Sequence, residues 1–517
     1  MMVLVRASTA FLFLATVARS FSADNPSLDP QAGIAALQKH DFPRARQIFS
    51  ALVEQNASAE NLNYLGMAEA SQGALPSAIT HFRESIRKGN NTAVVHYNLG
   101  LAYVRNHQDD LGITELKMAL AIDPSYSLAM YALGVSLVDT GRAKDGIPYL
   151  TRVVDLRPQA ADAWANLVRA YFAAGDTKHA ESTIDSASSK FPDNVRIAVT
   201  LADLCMRYQR IQKARYLLEN GSGIASDNLT VKLMLAKASL LGGEPIEALA
   251  VLKDVPTDAG GRGEVNMLKG QAEALTKHFD EASADLTSAI EADPKNSKYL
   301  VALAWLKQLR GLHNEALCVL RSAQDLDPGS PYIAYRMAIS YFLTGKASEA
   351  SQVCMRAIHT SSSFDRLYFL QGMIRLAEQR YDLAAEAFNR AVEVRPTTAL
   401  YRRQLGVAQL MGRHLTEAQA QFDRALSLDP NDADSYYWRG KTLALQGQRT
   451  KAIQDLQAAV TIDPKLGQAF TELAELYSGN GQPTKASAMR EKASSLRGSK
   501  SPDDIEEYIR NLQDASP

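Results

Sequence analysis

Small and apolar residues recur along this chain with a period of 34. In the stretch AVVHYNLGLAYVRNHQDDLGITELKMALAIDPSY, beginning at Ala93, one small residue (Gly100) stands eighth and another (Gly112) twentieth. Steps of 34 from Gly100 return Gly66, Gly134, Val168, Ala202, Ala236, Gly270, Ala304, Ala338, Gly372, Gly406, Gly440 and Ala474. Only Val168 is neither Gly nor Ala, and the same steps from Gly112 meet only Gly or Ala, from Ala78 to Ala486. Four residues after the twentieth position an apolar side chain follows in most copies, as at Phe82, Leu116, Leu150, Leu286, Phe388 and Phe422. That spacing is one helical turn along a single face. Eight copies then reach a proline (Pro124, Pro158, Pro192, Pro294, Pro328, Pro396, Pro430, Pro464). Proline has no N–H and biases its predecessor away from the α region, so a helix must end there. The pattern predicts two antiparallel helices per unit, A and B, whose backbones approach where the two small residues meet. A register held without insertion from Gly66 to Ala474 makes the chain a solenoid with a core built from neighbour contacts, and this overrides any count of globular domains from length.

The unit beginning at Ala161 carries Trp164, Leu167 and Tyr171 on its first helix and Ala180, Ala187 and Pro192 on its second. With the period of 34, this set resembles the tetratricopeptide repeat. The resemblance implies an all-α fold, a right-handed superhelical solenoid of antiparallel helix pairs. About fourteen repeats are expected over residues 31–497: thirteen in strict register, and a first from about Asp29, with Gly33, Ala45, Phe49 and Leu52, one residue out of phase. The pentatricopeptide repeat, with a period of 35, would have slipped steadily over this span, and no slip occurs. Two copies are irregular: glycine-rich turns near 220–228 and 254–264 replace the terminal proline, so a soft junction is expected over 220–264.

The ends depart from the repeat. Residues 1–23, MMVLVRASTAFLFLATVARSFSA, read as a secretory signal peptide, with Arg6 ahead of a short apolar stretch and small residues suited to cleavage. That stretch is too short for a comfortable membrane span. The chain is therefore expected to be exported, periplasmic or secreted. Residues 24–30 form a polar linker. Residues 498–517 begin with a polar break, after which Ile505, Tyr508, Ile509 and Leu512 fall at helical spacing, predicting a helix that caps the last repeat, or else a tail.

Composition narrows the chemistry. A net charge of -1, from 56 basic and 57 acidic residues, argues against nucleic acid, whose phosphates need Lys and Arg collected on a face. HExxH, GxSxG and CxxC are absent and the nine histidines are scattered singly, so neither a catalytic site nor a metal or other cofactor is expected. Gly440, Lys441 and Thr442 end like a phosphate-binding loop, but Ser435 stands where its first glycine is needed, and Gly440 is already the eighth-position mark of its repeat. Nucleotide binding is therefore not expected. Cys205, Cys318 and Cys354 read as small core residues and not as a disulfide framework. Asn56, Asn90, Asn220 and Asn228 sit in Asn-x-Ser/Thr sequons, which matter only in a cell that glycosylates exported proteins.

The resemblance further implies a concave groove lined by A-helix positions 2, 5, 9, 12 and 13. Carried over repeat by repeat, these give an apolar run at Tyr97, Leu101, Val104, Leu128, Tyr131, Val135 and Phe172, a charged middle that includes Arg169 and Arg207, and a second apolar run at Tyr335, Ile339, Phe342, Phe369 and Met373. Such a lining suits an extended peptide or an amphipathic helix from a partner protein. The Lys and Asn pattern of the clamp for acidic chaperone tails is not met in three successive repeats. Two functions stay open: an exported protein-binding scaffold in an envelope assembly, secretion or pilus-type complex, and a scaffold in exopolysaccharide export or polysaccharide binding, because aromatic groove residues also stack on sugars. An enzyme is a distant third, because no non-repeat domain is large enough to carry a site.

Overall fold

The computed structural model describes residues 29–219, 228–253, 255 and 261–496. The expected signal peptide (1–23), most of the linker, parts of the soft junction and the C-terminal segment 498–517 lie outside the described residues. Among the described residues the chain forms twenty-eight α-helices and no strand. The helices alternate in the expected register: Ala93–Arg105 and Asp109–Ile122, then Ser127–Asp139 and Ala143–Leu156, then Ala161–Ala173 and Thr177–Lys190. The first pair, Pro30–Gln38 and Phe42–Gln55, stands one residue out of phase. The fold is an all-α stack of helix pairs.

Close approach within a pair is what the small residues secure. A Cβ added to Gly100 would lie 2.8 Å from Leu116 Cγ, and one added to Gly146 would lie 2.7 Å from the Gly134 carbonyl oxygen. Position 24 is therefore the lid over position 8, and the largest lid goes with the smallest partner. Phenylalanine at position 24 always faces glycine (Gly66 and Phe82, Gly372 and Phe388, Gly406 and Phe422), whereas leucine faces glycine (Gly100 and Leu116, Gly270 and Leu286) or alanine (Ala202 and Leu218, Ala236 and Leu252, Ala304 and Leu320). Ala338 faces the smaller Cys354, which is fully buried.

The two turns of each unit follow from local chemistry. Every A helix is followed at position 15 by a residue in the left-handed region: glycine at Gly73, Gly141, Gly175 and others, but His107, Gln209, Lys277, Gln379 and Arg413 elsewhere. The next N–H then reaches back to the position-11 carbonyl, as from Arg142 to Leu137 at 2.7 Å and from Gln448 to Leu443 at 2.9 Å. This is the Schellman closure, which satisfies an orphan carbonyl at the helix end. At the end of helix B, an Asp before the proline accepts a hydrogen bond from the backbone N–H two residues on: Ser125 to Asp123 at 2.9 Å, Asn431 to Asp429 at 3.0 Å and Lys465 to Asp463 at 2.9 Å. Asp and Pro together turn the chain into the next A helix.

The chain divides into two compact units, Met1–Ala238 and Ser239–Pro517. In the first, buried apolar residues form successive local clusters, among them Phe49 with Leu65, Phe82 with Leu99, and Leu116 with Leu133. In the second, one buried cluster runs from Val301 to Ala486. Its last B helix, Pro483–Ser495, turns exposed Ser487, Arg490 and Ser494 outward, where the preceding Arg449–Ile462 helix has Ile453, Leu456 and Val460. A polar outer face is what the last element of a solenoid needs.

Candidate functional site: the A-helix face

In the unit Met1–Ala238 the helices Ala93–Arg105, Ser127–Asp139, Ala161–Ala173 and Val195–Arg207 carry the first run of candidate residues. Leu101, Val104, Leu128 and Tyr131 are half-buried, keeping apolar surface open on this face. Tyr131 is held from below: Asn166 Nδ2 donates to its hydroxyl at 2.8 Å, and burial pushes its pKa up to about 12, so it stays a neutral phenol. Arg169 Nη1 is 2.5 Å from Asp139 Oδ1, and Arg207 Nη2 is 2.6 Å from Asp203 Oδ2. Both guanidinium groups are thus anchored, Arg169 one repeat on from Tyr131 and Arg207 two; Arg207 is exposed and Arg169 half-buried. Phe172 is buried but stacks face to face on the more exposed Tyr208, with ring centroids 4.6 Å apart.

Other candidates from the sequence lie in the core. Tyr97 is buried edge-on against Tyr126, and Val135 is buried one turn from Tyr131. In the unit Ser239–Pro517, Tyr335, Ile339, Phe369 and Met373 are all buried. Tyr335 packs against the rings of Tyr332 and Phe364, and Phe369 stacks on Tyr401 at 4.9 Å. These six side chains hold neighbouring A helices together and offer little contact area in this chain. Of the second run only Phe342 remains half-buried.

One of the expected lining positions contributes residues not named from the sequence. Position 13, the last residue of the A helix, is Leu241, Leu275, Leu309, Leu343, Met411 and Leu445 in repeats of the second unit, interrupted by Ala377 and ended by Gly479 in the last repeat. Leu241 and Leu445 are about half exposed. The position is among the expected lining positions, and the leucines recur there at 34, but their accessibility follows only from the packed neighbours.

Cys205 and Cys354 are buried and Cys318 is exposed; all three are free, and burial pushes the two buried thiols up to about 12, leaving them inert at neutral pH. Gly440, Lys441 and Thr442 sit inside the helix Ala433–Leu445. Lys441 Nζ lies over the Tyr437 and Trp438 rings, and Thr442 Oγ1 donates to the Trp438 carbonyl at 2.8 Å. No helix among the described residues is long and apolar enough to cross a membrane.

Comparison with known proteins bears on the repeats directly. Residues 137–204 match one tetratricopeptide repeat model, and residues 31–93, 369–418 and 403–466 match another. The chain thus contains tetratricopeptide repeats in both units. It is similar to the BBSome complex member BBS4 of Bos taurus, 21% identical over 369 residues, 70% of this chain and 71% of the relative. It is also similar to anaphase-promoting complex subunit 3 of Schizosaccharomyces pombe, 25% identical over 36% of this chain and 28% of the relative. DnaJ homolog subfamily C member 3 of Mus musculus is 24% identical over 38% of this chain and 41% of its own length. The chain thus spans well under half of the latter two relatives. Among solved structures, the anaphase-promoting complex assembly Cut9–Hcn1 aligns over 92% of this chain and 95% of its own at 13% identity and a TM-score of 0.40, and yeast Tom70 over 87% and 99% at 16% and 0.41.

Proposed function

We propose that this array of tetratricopeptide repeats, fourteen in all, is a non-catalytic scaffold that holds a protein or peptide segment against its A-helix face. The observation that carries the reading is the patch formed by Leu101, Val104, Leu128 and Tyr131, apolar side chains left half-open on a series of A helices that further along carry two anchored guanidinium groups, Arg169 and Arg207. Apolar area flanked by fixed charge is the composition of a recognition surface: the apolar part supplies affinity and the charges set register and partner choice. Phe342 and the leucines at position 13 extend the same kind of surface along the second unit. The relatives' names support a scaffold, since two are members of multi-subunit complexes and one is a DnaJ homolog.

Residues 1–23 support export, and an exported scaffold of this kind would act in an envelope assembly, secretion or pilus-type complex. The test is photo-crosslinking of the full chain in its native cell, with the reactive side chain at Tyr131 and, separately, at Phe342. Capture of a discrete protein at Tyr131, lost on Leu128→Asp, is the expected result. An adduct that yields sugar and no protein would overturn the reading in favour of polysaccharide binding, and signal-peptide retention with a cytosolic location would remove the export assignment alone.

A further inference from the structure

The stripe at position 13 belongs to the second unit alone. The equivalent residues of the first unit are Ser71, Arg105, Asp139, Ala173 and Arg207. Its C-terminal end is open: Leu445 is 50% exposed and Met411 36%, and Leu383, 41% exposed, shares with Met411 and Arg380 the rim of an open hollow at the Gly412 turn. The turns bordering this end present exposed Arg380, Arg413 and Arg449. Arg413 makes no ion pair within 4 Å among the described residues, Arg449 donates only a long 3.5 Å bond to the Gly479 carbonyl, and Arg380 lies 3.5 Å from Glu378. The nearby acids are Asp382, in contact with His414 at 3.2 Å, and Glu417 at the start of the following B helix. An apolar strip edged by under-used cations calls for an apolar segment edged by acids.

The chain itself contains one. Residues 501–512, outside the described residues, read SPDDIEEYIRNL: Ile505, Tyr508, Ile509 and Leu512 are at helical spacing, with Asp503, Asp504, Glu506 and Glu507 against a single cation, Arg510. We propose that this segment docks intramolecularly on the Leu445–Met411 end of the stripe and occupies it as a built-in pseudo-ligand. Spacing agrees: in a helix Ile505 and Leu512 stand about 10.5 Å apart, close to the roughly 10 Å between packed helices. Reach agrees as well. The last described residue, Leu496, follows a B helix antiparallel to its A helix, so position 13 of that repeat, Gly479, lies about 20 Å away along the helix axis, and Leu445, one packed helix further, about 22 Å away. The eight residues 497–504 span up to about 27 Å. The alternative seat, the outer face of Pro483–Ser495, shows Ser487, Arg490 and Ser494 and has no apolar strip to offer. A tethered segment also meets its site at an effective concentration a free partner would have to exceed, so an external ligand of the second unit must displace it.

The experiment needs no partner, and its failure leaves the reading of the first unit's patch untouched. An equal mixture of nitrogen-14 and nitrogen-15 full chains, each with a photoreactive side chain in place of Leu445, is irradiated and the joined peptides are identified by mass. The expected product joins residue 445 to a peptide containing 503–512 within one isotopic form. Paired Ile505→Asp and Leu512→Asp should lower its yield by about tenfold or more, since two apolar contacts are lost, and Glu506→Lys with Glu507→Lys should lower it further. Absence of that product, joining only between isotopic forms, or a yield unchanged by the Asp substitutions would overturn the proposal.

Discussion

Gly372 and Phe388 offer the sharpest test of how these helix pairs are held. A Cβ at position 372 would lie 2.6 Å from two atoms of the Phe388 ring and 2.9 Å from a third. The ring has little freedom to retreat: it is fully buried and packs at 5.5 Å against Phe369, which is itself stacked on Tyr401. Overpacking of this kind destabilises by about 1–3 kcal/mol. Against it stands the helix preference of alanine over glycine, up to about 1 kcal/mol. The net expectation for Gly372→Ala is a loss of about 1 kcal/mol. Phe388→Leu alone should also lose about 1–2 kcal/mol through lost contact and a small cavity. Together the two substitutions recreate the alanine and leucine pairing of Ala304 and Leu320, so the double variant should recover at least about 1 kcal/mol of the summed loss. Because damage in a solenoid stays near its origin, the readout is amide exchange resolved by helix: Asp365–Ala377 and Tyr381–Val394 should open more readily while Ala93–Arg105 is unchanged. Additivity of the two single effects within about 0.5 kcal/mol would refute size matching between positions 8 and 24.

Four further outcomes are expected. His107→Gly and Gln209→Gly, at positive φ where other repeats carry glycine, should each stabilise by about 0.5–1 kcal/mol in urea melts. Glu273 has its carboxyl pushed up to about 7, chiefly by burial and next by Asp285 and Glu281, so the folded state holds a proton that the unfolded state releases near pH 4.5. Stability from this group is present in acid and lost as pH rises from about 4.5 to 7; Glu273→Gln should flatten that slope, and a slope unchanged by the substitution would refute the assignment. Glu69 occupies the same repeat position but meets His81 Nδ1 at 2.7 Å and accepts from Ser77 at 2.9 Å, so Asp285→His should raise the stability of its own repeat near neutral pH. Finally, Arg439 spans Asp455 through Nε and Nη2 at 2.6 and 2.8 Å and reaches Asp423 at 2.7 Å; Arg439→Ala should cost about 2–3 kcal/mol in chemical unfolding by leaving the largely buried Asp455 unpaired.

The repeat itself was legible in the one-dimensional pattern because each of its causes is local or nearest-neighbour. Small residues at positions 8 and 20, a large lid at 24 and Asp-Pro at the B-helix end specify a helix pair and its two turns with no reference to distant parts of the chain. The left-handed residue at position 15 was half legible: its glycines mark the turn, while His107, Lys277 and Arg413 adopt the same φ only because the Schellman closure on either side demands it. The candidate face was legible as a set of positions and not as a set of surfaces. Leu101 and Ile339 both stand ninth in their repeats, yet the first is half-open and the second fully buried, because accessibility is set by the bulk of side chains on neighbouring A helices. In the buried cluster that holds Ile339 those include Met373, a whole repeat on in sequence. For the same reason Leu445, which by its apolar character would pass for core, is open to solvent. A periodic sequence determines which residues recur on which helix; only the packed neighbours decide which of them are spent on the stack and which remain free to meet a partner.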